Sequence, residues 1–437
     1  MKRNRIALSS VLLVGACTAI LLVAGLRAAP PPVSAGPSNA PGDIIVLGWN
    51  DLGMHCYNPD FADLAVLPPY NTLWAQVIRV GDPPQIITTG ITVSYVFSDN
   101  TYSVGKNNFW TYAQKIFGLP APLPDNVGLT GKKLADVMDA KSDHFEAAGI
   151  PLTEYHDSAP TTRYPYQLAT ITVKDANTSA VLAQIQAVAP TSTEMHCDNC
   201  HTDDGDATTR YPITPTGKVD TNILALHDYL SQSQYPAGHT GPLMAPARRP
   251  VLCAECHSSN ALGAPGVTGV SSLSNAMHNH HKDLPDITPD TAGCYNCHPG
   301  PTTRCLRDNM SQRYGMTCVN CHGSMANVAQ NPAPWLNEPR CDNCHGEDVQ
   351  QDQPLYRHSR GHGALYCEGC HDSTHAIATS REPNDAIKFV NLQGEAGTLH
   401  KCNVCHATQP TGTFSHQFVI MSQHIYLPLL LRNQEGL

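Results

Sequence analysis

From Ile91 to Phe97 the chain reads ITVSYVF, with Ile91, Val93, Tyr95 and Phe97 on alternate positions and mostly small polar residues between them. A two-residue period is that of a half-buried strand. The run YQLATITVKDANTSAVLAQIQAV, Tyr166 to Val188, carries two alternating stretches around the turn formers Asp175–Ser179, which predicts a hairpin. NFWTYAQKIFG (Asn108–Gly118) and GKKLADVM (Gly131–Met138) space their apolar residues three and four apart, as helices do. Residues 43–190 therefore read as a β-rich, sandwich-like domain with inserted helices, entered through a Pro/Gly/Ser linker at 36–42.

The pattern changes at about residue 191. NVAQNPAPWLNEPRCDNCHGEDVQQDQPLYRHSRGHG, from Asn327 to Gly363, has few aliphatic side chains and many turn residues. Ordering a backbone costs about 1–2 kcal/mol per residue, and such a stretch has little apolar surface to offset it. The whole chain points the same way, with 35 prolines, 32 glycines and only 6% aromatic residues in 437. The second half is expected to be loop-rich, with short helices and little regular structure.

The two ends are different again. MKRNR is a basic start, Ala7–Leu26 an uncharged, mostly apolar run, and Val33-Ser34-Ala35 a small-residue site before Gly36. Residues 1–35 read first as a cleaved export signal. An uncleaved membrane anchor comes second, and a lipoprotein at Cys17, in VGAC, third. Each places the body of the protein outside the cytoplasm: periplasmic, cell-surface or extracellular. Residues 411–437 form a tail whose apolar IYLPLLLR (Ile425–Arg432) is too short to span a bilayer; an edge strand, a docking peptide and a sorting tag all fit it. Formal charge is −10 and becomes −14 without residues 1–35. That balance disfavours nucleic acid and favours partners with a basic face.

Into this background the chain places one unit seven times. Cys-x-x-Cys-His occurs at Cys197, Cys200, His201; Cys253, Cys256, His257; Cys294, Cys297, His298; Cys318, Cys321, His322; Cys341, Cys344, His345; Cys367, Cys370, His371; and Cys402, Cys405, His406. Composition alone predicts about 0.03 copies. Successive motifs start 56, 41, 24, 23, 26 and 35 residues apart. Paired Cys-x-x-Cys units suit zinc, but seven units do not pair off and their histidines would go unused. A thioredoxin-like centre needs one motif on a βαβ scaffold, and structural disulfides also ignore the histidines. Covalent c-type haem uses every residue: two thioethers to one porphyrin edge, and the adjacent histidine as proximal iron ligand.

On these seven motifs the chain resembles the multihaem c-type cytochromes, over roughly residues 195–406. GWNDLGMHC (Gly48–Cys56) also resembles a segment preceding haem arrays in some large secreted cytochromes. The resemblance implies seven covalent haems and their iron, maturation after export, and electron transfer along closely spaced groups. The expected organisation is a signal at 1–35, a β-rich haem-free domain at 36–190, a heptahaem domain at 191–410 and the tail. Expected partners are redox proteins or extracellular acceptors, with membrane or surface association and homo-oligomers or filaments also compatible. The alternatives are a multihaem reductase or oxidase with one open iron, or a subunit of a haem-bearing filament or surface complex. No nucleotide-binding glycine loop or catalytic triad is present, so an electron carrier is expected rather than a catalyst.

Fifteen histidines lie outside the motifs, enough to give every iron a second one. His196 and His400 adjoin their own attachment cysteines too closely to reach over the same ring. His227, His278, His281, His362 and His375 are the first candidates for distal ligands, followed by His239, His416, His358 and His55. Within MHNHH (Met277–His281), two histidines can serve two haems, and His375 suits a haem other than that of His371. Methionine ligands are less favoured; Met316 is too near Cys318, and Met54 and Met310 are weak candidates. Cys56 and Cys305 are left over, and in an oxidising compartment they form a candidate disulfide. Because the second half lacks apolar residues, the haem-free chain is expected to have no cooperative tertiary structure beyond about residue 190. Calorimetry of the apo-chain checks this: a sharp melt from that half contradicts it.

Overall fold

A computed structural model of the chain describes residues 39–411, apart from 240, 286, 289, 332–337, 346–348 and 350. Residues 1–35 with Cys17, His416 and the apolar run at 425–432 lie outside the described residues. Two five-stranded sheets form the N-terminal part. The first runs in the order Ile44–Asn50, Asn71–Arg79, Phe145–Ile150, Asp139–Ala140, with Gln85–Ile86 beside Asn71–Arg79. The second runs His55–Cys56, Val181–Ser192, Tyr166–Asp175, Ile91–Val96, Ala135–Val137.

The hairpin pairs Tyr166–Asp175 with Val181–Ser192, setting Ile171 opposite Ile185. Its turn closes because the Asp175 carboxylate accepts from the N–H groups of Asn177 and Thr178 at 2.9 and 2.8 Å. Phe109–Phe117 is a helix ended by Gly118 in the left-handed conformation. Gly131–Met138 does not form the expected helix. Ala135–Val137 is a strand paired with Ile91–Val96, and Leu134 and Met138 both enter the core. Residues four apart share a face in a helix and also in a strand, so this pair does not distinguish the two.

The sheets meet across one core. Val46, Leu73, Ala75 and Val77 from the first pack against Val93, Tyr95, Ile171, Val173, Ile185 and Ala187 from the second. Gly48 allows this approach, since a Cβ there would lie 2.6 Å from Ile171 Cδ1. The other face of the first sheet is equally apolar. Ile45, Leu47, Trp49, Trp74, Ile78 and Val80 are buried against Tyr366, Phe389, Leu399 and Val404. The C-terminal half is thus a third layer on the β-rich part, and a second core crosses the boundary near residue 190. Elsewhere that half consists of short helices and loops, the longest being Val219–Ser231 (13 residues), Pro383–Gln393 (11) and Leu273–His281 (9). Among the described residues no helix is long and apolar enough to cross a membrane.

The GWNDLGMHC segment is a junction between the layers. Asn50 Oδ1 accepts from Gly53 N at 2.7 Å, and Asn50 Nδ2 donates to Thr72 O at 2.8 Å. Ser373 Oγ donates to Asn50 O. Gly53 has φ +71°, and a Cβ there would meet Thr374 O at 2.0 Å. Arg307 donates to Gly53 O at 2.8 Å and bidentately to Asp385 at 2.6 and 2.9 Å, with both side chains almost fully buried. Removing one partner of a buried pair strands the other charge, at about 3–5 kcal/mol. Asp385→Ala is therefore expected to destabilise the protein by about that amount in urea denaturation; a change within the scatter of surface substitutions would show that the pair does not join the layers.

Candidate cofactor-binding site

The seven motifs, numbered one to seven in chain order, share a local shape. The histidine N–H bonds back to the first cysteine's carbonyl at 2.9–3.0 Å in motifs 1, 2, 3, 5 and 7. Motifs 4 and 6 are the short helices Cys318–His322 and Cys367–His371. One helical turn places cysteines three apart on the same face, with the histidine just beyond. Cysteines from all seven motifs line a single cavity of about 2990 Å³, together with His298, His322, His345, His371 and His406. An ordinary small-molecule pocket holds about 300–1,000 Å³, so this space accommodates several large groups.

Five motif histidines each face a second histidine. Ring centroids are 6.4 Å apart for His201 and His281, 6.3 Å for His227 and His257, and 6.1 Å for His278 and His298. They are 6.0 Å apart for His322 and His375 and 5.9 Å for His362 and His406. Two imidazoles bound from opposite sides through nitrogens at about 2.0–2.1 Å hold their centroids about 6 Å apart. The separation in each pair fits one metal ion held between the two rings. Among the described residues, no group of three or more His, Cys, Asp or Glu side chains converges on one position.

The second ring nitrogen of five of these ten histidines is engaged by an oxygen. Nδ1 lies 2.8 Å from Ser271 O in His257, 2.7 Å from Ser274 O in His278 and 2.6 Å from Met277 O in His281. His406 Nδ1 lies 3.3 Å from an Asp82 carboxylate oxygen. His227 Nδ1 lies 3.0 Å from the Tyr235 hydroxyl, which itself donates to Asp228 at 2.6 Å. Carbonyls and carboxylates only accept, so Nδ1 carries the proton and Nε2 keeps its lone pair, the arrangement of a metal-ligating histidine. His375 is held differently: its backbone is left-handed, with φ 63°, and its Nδ1 lies 3.9 Å from Cys305 Sγ.

The remaining sequence candidates stand elsewhere. His239 bonds Glu255 at 3.2 Å, His55 bonds Asp51 at 3.1 Å, and His358 stacks on Trp74 at 6.0 Å. His416 lies outside the described residues. The expected disulfide is not formed: Cys56 and Cys305 are neighbours but free thiols, each held protonated chiefly by burial. Burial also raises two of the motif thiols, Cys253 and Cys370, to about 11. Two residues with no sequence signal complete the site. Asn222, fully buried, donates to His201 O at 2.9 Å, and Tyr235 orients His227. Comparison of the chain with protein-family models, curated proteins and solved structures finds no match.

Burial holds His201 and His298 down to about 4 and His375 to about 3, against an ordinary 6.5, with neighbouring histidines adding to the effect. All three are neutral at neutral pH. The unfolded chain binds protons at these positions from about pH 6.5 downward, and the folded chain only near pH 3–4. Their contribution to stability is therefore unchanged above that window and declines through it on acidification.

Proposed function

We propose that the protein is an electron-transfer protein that carries seven covalent c-type haems outside the cytoplasm. One observation carries the reading most: five Cys-x-x-Cys-His histidines each oppose a second histidine at 5.9–6.4 Å. The cavity, lined by cysteines from every motif, supports it further. Zinc would need ligands gathered in threes or fours, whereas these come as opposed pairs and leave the plane between them to a macrocycle.

Bound haem supplies an iron that takes up and releases one electron. The two thiols of each motif would form the thioethers, and the histidine that follows would be the proximal ligand. His281, His227, His278, His375 and His362 are the distal ligands for motifs 1, 2, 3, 4 and 7. At these five motifs, two imidazoles would keep the iron's potential low and leave it no position for a substrate. The Nδ1 bonds to Ser271, Ser274, Met277, Asp82 and Tyr235 fix ring orientation and raise ligand basicity. The acidic chain, at −10, complements a redox partner with a basic face.

The test is optical. The holoprotein is expected to carry seven haems per chain, with low-spin spectra in both redox states. His281→Ala is expected to open the iron of motif 1 and add one carbon monoxide-binding haem per chain relative to the parent. His239→Ala is expected to add none. A parent without haem, or a His281→Ala protein with no added carbon monoxide response, would overturn the assignment.

A further inference from the structure

Resting on the haem reading, we infer that the seven motifs stand in space as one file in the order two, one, three, four, five, six, seven. The swap of the first two motifs is the distinctive element. Motif 1 adjoins motif 3 directly: Asn199 Nδ2 donates to Asn296 Oδ1 at 2.7 Å, and His196 N to Asn296 O at 3.0 Å. The flanking segments agree, since Glu194 accepts from the N–H groups of Thr302 and Thr303. The helix Leu273–His281 spans both motifs, presenting His281 to His201 and, one turn earlier, His278 to His298.

Motif 2 lies on the far side of motif 1. Its partner His227 is carried by the helix Val219–Ser231, whose Asp220 lies within electrostatic reach of both Cys197 and Cys253. From motif 3 the file continues in chain order. Cys318 N donates to Thr291 Oγ1 at 3.4 Å, on the helix Thr291–Cys294, and Cys294 and Cys318 hydrogen-bond to each other. Cys321 is within electrostatic reach of Cys341 and Cys344. Motifs 5 and 6 are joined through Cys341 N to Gln351, Gln351 to Gln353 O, Ser359 to Gln353 O, and Cys367 N to Ser359 O. Leu399 N donates to Cys370 O at 2.9 Å, and Cys370 and Cys405 share one apolar cluster, which brings motif 7 beside motif 6.

A file has two ends, and electrons are exchanged with other molecules there. One end is the His257 and His227 pair. The other is the His406 and His362 pair, where His362 is exposed and Asp82 holds both His406 and Thr408. Chain order alone would have put motif 1 at the first end.

Removing motif 2 separates the two orders. A ruthenium photosensitiser coupled to Gln409→Cys, an exposed position three residues past His406, injects electrons at the motif 7 end. In Cys253→Ala/Cys256→Ala, checked by mass to carry six haems, all six are expected to share electrons at a rate independent of protein concentration. If motif 1 instead fills only at a rate proportional to concentration, it has been cut off and the inferred order is wrong. Should that variant fail to fold, His227→Ala keeps the second haem attached while changing its spin state. The paramagnetic resonance lines of one neighbouring iron are then expected to shift, and a shift at two overturns the file. A parent chain with no haem by mass would sink the electron-transfer reading and the file with it. A parent with seven haems, together with motif 1 isolated in the six-haem variant, sinks the file alone.

Discussion

Strands Ile44–Asn50 and Asn71–Arg79 are apolar on both faces and have to be covered twice. One covering is the second sheet, across the core around Val46, Val77 and Ile171. The other is supplied by residues more than 280 positions later, Tyr366 to Val404, which bury Leu47, Trp49 and Trp74. An apolar sheet face left in water would forfeit about 25 cal/mol per Å², so the C-terminal half is drawn onto the β-rich part. Motifs 6 and 7 lie within this covering segment. Tyr366 immediately precedes Cys367, and Gly81, in the loop after the second of these strands, bonds Cys405 and Ala407 backbone groups. The β-rich part thereby acts as the template against which the end of the motif array is set.

Farther from that sheet, order comes from a few buried polar links and from histidines that cross between motifs. Arg307 joins the turn after motif 3 to the GWNDLGMHC segment and to the helix Pro383–Gln393. Lys388, on the same helix, bonds Asp372 at 3.1 Å and the Glu368 carbonyl at 3.0 Å, which holds motif 6. His375, just after motif 6, reaches motif 4. His362, before motif 6, reaches motif 7. His281, before motif 3, reaches motif 1. In the haem reading each crossing becomes an iron-centred cross-link, and these replace the apolar core that the composition lacks. Metal-coupled folding has this logic: ligands scattered along the chain order it only when the group they share is present.

Local pattern was sufficient where one period dominated. ITVSYVF and the Tyr166–Ser192 hairpin were readable because alternation and turn chemistry agree there. Leu134 and Met138 misled because a spacing of four is common to both regular structures. The motifs were legible because chemistry requires cysteines three apart and a histidine directly after. The sequence pattern also suggested that one histidine-rich segment, Met277–His281, could serve two sites as a loop; the structure puts it on the helix Leu273–His281, which presents His278 and His281 to different neighbours.

What the chain by itself determined is the inventory: seven Cys-x-x-Cys-His units, a β-rich region before them, stretches poor in aliphatic residues after residue 190, and a surplus of histidines. Which histidine meets which motif was decided only by tertiary structure. His239 and His281 are alike as residues, yet one lies against Glu255 and the other opposite His201. The same holds for motif 1 lying beside motif 3, for Cys56 and Cys305 lying close yet unbonded, and for a second core crossing the boundary near residue 190. Each depends on contacts between segments tens to hundreds of residues apart. Local propensity and spacing constrain a chain over only a few residues, and the path between distant segments follows from where apolar faces and buried charges find cover.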